Sequence, residues 1–228
     1  MKLLLSDPWL SIKLKKKTYF LPEKNILKLL KRNEIKKNQF IYTKIKNIKV
    51  SKILKKNNFK FITTNYQCTK KITKVNFYDK NCMLAKKQDL QDVKKISKNS
   101  YKFSRFHTDQ RIKIKTCDNI FSSWVESYFQ KKRGDYILVY KVLTKVLGFL
   151  LLKKEKNFIL RIDLIAVDNR FKRLNIGNKI INFAKYIFYK KFSHFTVGYQ
   201  GNNAEAKIFY KKLGFKINFK QDIYHYYN

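Results

Sequence analysis

The stretch 158–192 reads FILRIDLIAV (158–167), DNRFKRLNIG (168–177), NKIINFAKYIFYKKF (178–192). Its first ten residues are apolar and β-branched, interrupted only by Arg161 and Asp163, which predicts a largely buried strand. A polar turn with three basic residues and one glycine follows, Asp168 to Gly177. Beyond it Ile176, Ile180, Ala184, Ile187 and Phe188 recur at spacings of three and four, the mark of one buried helical face.

Strand, basic turn and helix together make an anion site. The first turn of a helix carries unpaired N–H groups and a partial positive charge, which favour phosphate. The same pattern also describes an ordinary α/β crossover with a solvated loop. The spacing Val167-x4-Lys172-x2-Asn175-x-Gly177 resembles the pyrophosphate loop of the GNAT acetyltransferases, Arg/Gln-x-x-Gly-x-Gly/Ala. Lys172 stands for the Arg/Gln and Asn175 for the first Gly; Asn accepts positive φ better than most residues. The next stretch, Val197 to Phe215, resembles the element that follows in that family. There a strand leads to Asn-x-x-Ala, a helical Tyr and Leu-Gly-Phe, met here by Asn203, Ala206, Tyr210, Gly214 and Phe215. Taken alone, Gly214 also reads as a helix C-cap.

The chain has 228 residues, 44% of them hydrophobic, enough for one large domain or two small ones. The net charge is +38, yet only seven of the 53 basic residues are Arg. Lysine is spread along the whole chain rather than gathered in a patch, which argues against nucleic acid as the main partner. Cys68, Cys82 and Cys117 lack metal or disulfide spacing and read as free thiols of a reducing cytosol. His107, His194 and His225 are dispersed, so no metal is expected. The run MKLLLSDPWL is cut by Asp7 and Pro8 below signal-peptide length, and no run reaches the roughly 20 apolar residues of a membrane span. A cytoplasmic protein is expected.

Read in order, residues 1–75 predict a small α/β unit. A helix opens at Leu21-Pro22-Glu23 with Ile26, Leu27, Leu29 and Leu30, and Phe40–Ile45 is a strand. Asn47 caps a second helix with Ile48, Ile53 and Leu54. Asn58 to Gln67 alternates as a strand with Phe59 and Phe61 on one face. Its Asn-Asn-Phe entry echoes the Leu-Gly-Phe near the C-terminus, as a truncated repeat would. The basic stretch 70–82 marks the boundary to a second domain, 76–228. There the order from residue 81 is β-α-α-β-β-β-α-β-α-β, with Ser104 to Asp109 polar and irregular and a long helix from Asp118 to Lys131.

That order is the acetyltransferase order. The expected fold is α+β: a GNAT acyltransferase fold, a mixed and mainly antiparallel sheet flanked by helices, with a small partial α/β N-terminal domain. More narrowly, Ser104-Arg105-Phe106-His107-x-Asp109, the helix with Trp124 and Gln200-Gly-x-Asn203 are similar to the dTDP-fucosamine N-acetyltransferases. These acetylate a nucleotide-linked amino sugar from acetyl-CoA.

The resemblance implies roles for named residues. The backbone of Leu164, Ile165, Ala166 and Val167 would hold pantetheine, with a Val167 N–H as oxyanion donor. Lys172, Arg173, Leu174, Asn175, Ile176, Gly177 and Asn178 would cradle the pyrophosphate. Asn203 would bond the cofactor. Tyr210 would be the general acid, unless it is a boundary aromatic, and would also touch the cofactor. Asp163 is either the base or an ion-pair partner of Arg161 or a lysine. Arg105, His107 and Asp109 would bind the acceptor; His107 and Asp109 equally fit a capping turn. The resemblance leaves open a homodimer, acceptors such as another small amine or a protein N-terminus, and a basic binding module that kept the fold without turnover.

Overall fold

The computed structural model describes residues 2–32 and 35–227. Its elements in chain order are β1 (Leu5–Ser6), α1 (Pro8–Leu14), β2 (Lys17–Leu21), α2 (Ile26–Lys31), β3 (Gln39–Ile45), α3 (Ile48–Lys56) and β4 (Lys60–Lys71). Then come β5 (Cys82–Leu84), α4 (Leu90–Ser100), α5 (Arg105–Thr108), α6 (Ile114–Phe129), β6 (Tyr136–Val142), β7 (Lys145–Glu155) and β8 (Ile159–Val167). The last are α7 (Ile176–Phe188), β9 (His194–Gln200), α8 (Ala204–Lys212) and β10 (Lys216–Tyr227). The strands form one sheet in the order β1-β2-β3-β10-β4-β9-β8-β7-β6-β5.

Local chemistry sets the element ends. Asp7 caps α1 by accepting from the Leu10 N–H, and Pro8 occupies its first turn. The sequence reading treated Asp7-Pro8 only as an interruption of an apolar run and missed this helix. Asn47 and Asn203 cap α3 and α8 in the same way. Ser104 caps a short helix, α5, where an irregular segment was expected. Phe59 and Phe61 meet the rings of Tyr226 and Tyr224, alternate residues of β10, as one face of a strand would, although Phe59 is buried and Phe61 half exposed. A register shift in the β4–β10 pairing passes from Thr63 to Phe61, leaving Ile62 as the extra residue that breaks the alternation.

The two ends of the chain interleave. β10 pairs with β3 on one side and β4 on the other, and β4 pairs with β9. About the β10–β4 junction the order is symmetric: β2, β3 and β4 answer to β8, β9 and β10. α3 starts at 48 and β4 at 60; α8 starts at 204 and β10 at 216, a constant offset of 156 with equal element lengths. The chain thus holds two β-α-β-α-β units, and each inserts its last strand into the other. The connector around residues 72–81, where the sequence placed the boundary, lies in a structure whose hydrogen-bonded sheet runs through both units.

Cores lie on both faces. Ile176, Ile180, Ile181, Phe183, Ala184 and Phe188 of α7 pack on one face. Val93 and Ile96 of α4 and Cys117, Ile120, Phe121 and Val125 of α6 pack on the other. A third cluster, with Leu21, Ile26, Leu29, Ile41, Leu54 and Tyr224, sits under the N-terminal unit.

Candidate active site

The site begins at one residue of β8. Against β7, Leu164 faces Leu151 and Ile162 faces Leu152, so Asp163 is an extra residue. Such a bulge shifts the side-chain alternation. Before it, Leu160 and Ile162 join the core under α7; after it, Leu164 and Ala166 join the core under α4 and α6. On its other edge β8 runs parallel to β9 only from Ile159 to Ile162, opposite His194 to Val197. Beyond that point the strands part. Residues 164–167 keep β7 but have no strand partner on the β9 side, which leaves backbone groups for an extended ligand.

The gap opens into a cavity of about 640 Å³ that runs from the turn before α7 to the space between α4–α6 and the sheet. The turn makes one wall. Asp168 accepts from the Arg170 N–H and from its guanidinium, so that arginine folds back on the turn. Arg173 (φ 67°) and Asn175 (φ 59°) both take the left-handed conformation. Asn175 can replace a glycine here because its short polar side chain tolerates that region. The first helical bond of α7 is from the Lys179 N–H to the Asn175 carbonyl. The N–H groups of Ile176, Gly177 and Asn178 therefore have no helical acceptor, and no side chain caps them. Gly177 is needed for space rather than for φ: a Cβ there would lie 3.1 Å from the Phe209 ring.

Of the residues expected at the cofactor, Leu164, Ile165, Ala166, Val167, Lys172, Arg173, Asn175, Ile176, Gly177, Asn178, Asn203 and Tyr210 line this cavity. Leu174 does not; it lies outside the lining and is exposed. Lys172 pairs with Glu205 at 3.0 Å, so one cation of the turn already has a counter-charge.

Tyr210 on α8 forms the opposite wall. It is buried, stacked on Tyr199 and edge-on to Phe215. Burial, and to a lesser extent Cys68, holds its phenol well above the ordinary range, so it keeps its proton at neutral pH. Asp163 lies at the fork itself. Its Oδ2 accepts from Trp124 Nε1 at 2.8 Å and from the Tyr128 hydroxyl at 2.9 Å. Arg133 and Arg161 stand at 3.8 and 3.9 Å. The expected pairing with Arg161 is thus a long contact, and α6 is what orients the carboxylate.

The acceptor-side expectation needs correction. Arg105 lines the cavity, laid over the Tyr42 ring at 4.1 Å and reaching His225 Nε2 at 3.4 Å. His107 and Asp109 are absent from the lining. His107 bridges Ser104 Oγ (2.8 Å) and Asp118 Oδ1 (3.0 Å). Asp109 is buried, gripped by Arg111 through both oxygens and by His225 at 2.9 Å. The start of the run, Ser104 to Phe106, lines the cavity, whereas His107 and the C-cap Asp109 fasten the short helix instead.

One functional candidate was missed. Tyr101, just after α4, stacks on Phe121 at 4.5 Å and lines the cavity. Its hydroxyl is buried without a hydrogen-bond partner among the described residues. Burial raises its phenol, and the fields of Tyr210 and Asp163 reach it. A single tyrosine at a helix end carries no spacing signal, which is why the sequence hides it. Among the described residues no His, Cys, Asp and Glu group could hold a metal, and no helix is long and apolar enough to cross a membrane.

Residues 133–217 match the family model of the acetyltransferase (GNAT) domain. No curated protein matches the sequence. Among solved structures, a functionally unknown conserved protein from Staphylococcus epidermidis ATCC 12228 superposes with a TM-score of 0.64 at 15% identity, over 95% of this chain and 87% of that one. A GCN5-related N-acetyltransferase from Sphaerobacter thermophilus gives 0.61 at 7% identity, over 92% and 73%. A tandem GNAT protein from the clavulanic acid biosynthesis pathway gives 0.56 at 7%, over 90% and 67%. The fold is therefore the GNAT fold. Residues 133–217 are thus an acetyltransferase domain, and acetyl-CoA is the co-substrate that GNAT acetyltransferases use.

Proposed function

We propose that the protein moves an acetyl group from acetyl-CoA to the amine of a nucleotide-linked amino sugar. The observation that carries the reading is the fork of β8 and β9, with the uncapped start of α7 on one side and Tyr210 on the other. Pyrophosphate would lie on the N–H groups of residues 176–178, and pantetheine along residues 164–167. The amine nitrogen would attack the thioester carbon while its proton passes to Asp163 directly or through water. As the C–S bond breaks, Tyr210 would give its proton to the departing thiolate, yielding amide and free thiol. A phenol held protonated by burial suits that step.

The sugar-nucleotide part rests on the acceptor end. Phe103 and Trp124 offer ring surface to a base or sugar, and Arg105 offers the bidentate geometry that a diphosphate prefers. The loss of His107 and Asp109 from the lining leaves Arg105 as the residue of that motif that carries the idea. We place the reaction in the cytoplasm, where buried free thiols such as Cys68, Cys82 and Cys117 stay reduced.

The test is a thiol-release assay with a dTDP-linked amino sugar, a free amino sugar, a peptide amine and a polyamine side by side. Preference for the first is expected. Preference for any of the others rejects the sugar-nucleotide reading.

A further inference from the structure

The acceptor end of the cavity is built partly by the N-terminal unit. Lys44 of β3, Asn65 and Gln67 of β4 and Ile223 of β10 line it together with Arg105, Arg161 and Asp163. Charge there is unbalanced. Asp163 is held by Trp124 and Tyr128. Arg161 is shared between Glu155 at 3.1 Å and Asp163 at 3.9 Å. Arg105 lies on aromatic rings and touches His225, with no carboxylate in salt-bridge contact among the described residues. Lys44 pairs with Ile223 through its strand, and its ammonium has neither a hydrogen bond nor a salt bridge among the described residues.

Lys44 and Arg105 are half-buried, and a partly desolvated cation is favoured when something bound supplies the counter-charge. Burial, helped by the fields of Arg105 and Arg161, lowers the Lys44 ammonium to about 8. The position is also separate from the cofactor's phosphates. β10 and β4 lie between β3 and β9, which puts Lys44's strand roughly 14 Å from β9 at ordinary strand spacing. The pyrophosphate turn lies farther still, beyond β8.

We propose that Lys44, with Arg105 and Arg161, forms an anion subsite for the acceptor, so that the amine substrate carries a phosphate or carboxylate group. In this arrangement the N-terminal unit serves the active one by contributing Lys44. The inference rests on the cleft being an acyltransferase site, and not on the acceptor being a sugar nucleotide.

The experiment uses protein saturated with CoA, so that the α7 turn is occupied, and follows binding of two probes by calorimetry: inorganic pyrophosphate and malonate. At least one is expected to bind, and the tighter one identifies phosphate or carboxylate chemistry. Lys44→Gln should weaken that binding about tenfold or more, the usual worth of a charge-assisted contact, whereas Lys44→Arg should restore most of it. CoA affinity measured beforehand should be the same in all three proteins.

A second readout needs no variant. Malonate binding to the wild-type protein should fall as pH rises through about 8, because Lys44 loses its proton. The other charged groups facing it are Arg105 on α5 and Arg161 and Asp163 on β8. Failure of both probes to bind CoA-loaded protein overturns the subsite, as does equal binding by Lys44→Gln. Malonate binding alone keeps the subsite and removes the sugar-nucleotide reading. A dTDP-linked amino sugar acetylated without any effect of Lys44→Gln does the reverse.

Discussion

The N-terminal and C-terminal units share a plan and differ in one place. In the N-terminal unit β2 and β3 stay paired to the end of β2, from Lys17–Gln39 to Leu21–Thr43. In the C-terminal unit β8 leaves β9 after Ile162, with the bulge at Asp163 beside the fork. The crossover differs accordingly. β2 ends at Leu21 and enters a helical turn through Pro22 within a single residue. β8 ends at Val167, and a turn of two left-handed residues delivers the uncapped α7. Where α8 presents Tyr210 to the fork, α3 carries Leu54, fully buried beside Ile41, Ile45 and Tyr224. The same topology thus gives either a packed core or a binding cleft. The choice lies in one extra strand residue and in what fills the space between the strands.

The largest test of that contrast truncates the two equivalent helix residues. Tyr210→Phe should retain acetyl-CoA binding and lose about a hundredfold or more in kcat, the usual share of a general acid. Leu54→Ala should leave turnover per folded molecule intact and instead cost about 2–5 kcal/mol of stability, because it empties a closed core. Single-turnover thiol release and chemical denaturation separate the two effects. A Tyr210→Phe protein with wild-type kcat would place the proton donor elsewhere, with Tyr101 the next residue to change.

Gly177→Val comes next. Its Cβ would press on the Phe209 ring from 3.1 Å, and its branches would crowd the N–H groups of the first turn of α7. Overpacking of this kind costs about 1–3 kcal/mol, so acetyl-CoA affinity should fall by about tenfold. Unchanged affinity by calorimetry would mean that the cofactor does not approach this turn.

How much of this was legible in the sequence follows from the range of each signal. The α7 turn and the Asn203-to-Phe215 element are local: their residues contact one another within a few positions, so spacing preserves them. The strands of the C-terminal unit were legible for the same reason, as apolar runs. Lys44 and Tyr101 reach the cavity only because β3 and α4 are brought there by pairing across the sheet, which no spacing records. His107 and Asp109 misled because a polar run in a cap and a polar run in a pocket have one composition. The repeat was visible as an echo between Asn57-Asn58-Phe59 and Leu213-Gly214-Phe215. It needed the structure to show that the two units trade strands.

A smaller effect concerns the strand that the C-terminal unit lends. His225 on β10 is fully buried against Asp109, and burial pushes its imidazole down to about 4. Its counterpart on β4, Thr69, makes only a hydroxyl contact with Asn218. A histidine whose folded value is below its unfolded value of about 6.5 binds its proton first in the unfolded chain, so it favours unfolding as pH falls. Stability should therefore drop by on the order of 1 kcal/mol or more between pH 6.5 and 5. Asp109, held below the usual carboxylate range mainly by the His225 and Arg111 hydrogen bonds against the opposing effect of burial, adds a further loss of the same sign below about pH 4. In His225→Gln the upper step should flatten while the lower one persists. A denaturation series at pH 5, 6 and 7 that shows the same slope in both proteins would remove His225 from the account.

The smallest expected effect tests the repeat itself. Asn58 (φ 62°) and Gly214 (φ 75°) stand at equivalent positions after α3 and α8, both in the left-handed conformation. If the two units are built alike, the residues that stop their helices should be interchangeable. Asn58→Gly relieves a Cβ from the left-handed region but adds freedom to the unfolded chain, so its net change should be within about 0.5 kcal/mol. Gly214→Asn should cost no more than about 1 kcal/mol, since Asn is the side chain that best tolerates this conformation. Its Cβ would meet only the end of the Lys70 side chain, at 3.3 Å, and that end can move. A β-branched residue at either position has no such allowance, and Asn58→Val and Gly214→Val should each be worse than the exchanges. Denaturation midpoints of the four variants decide the matter. If Asn58→Val is silent while Gly214→Val is costly, the α3 ending does not need the left-handed turn, and the equivalence of the two helix endings fails.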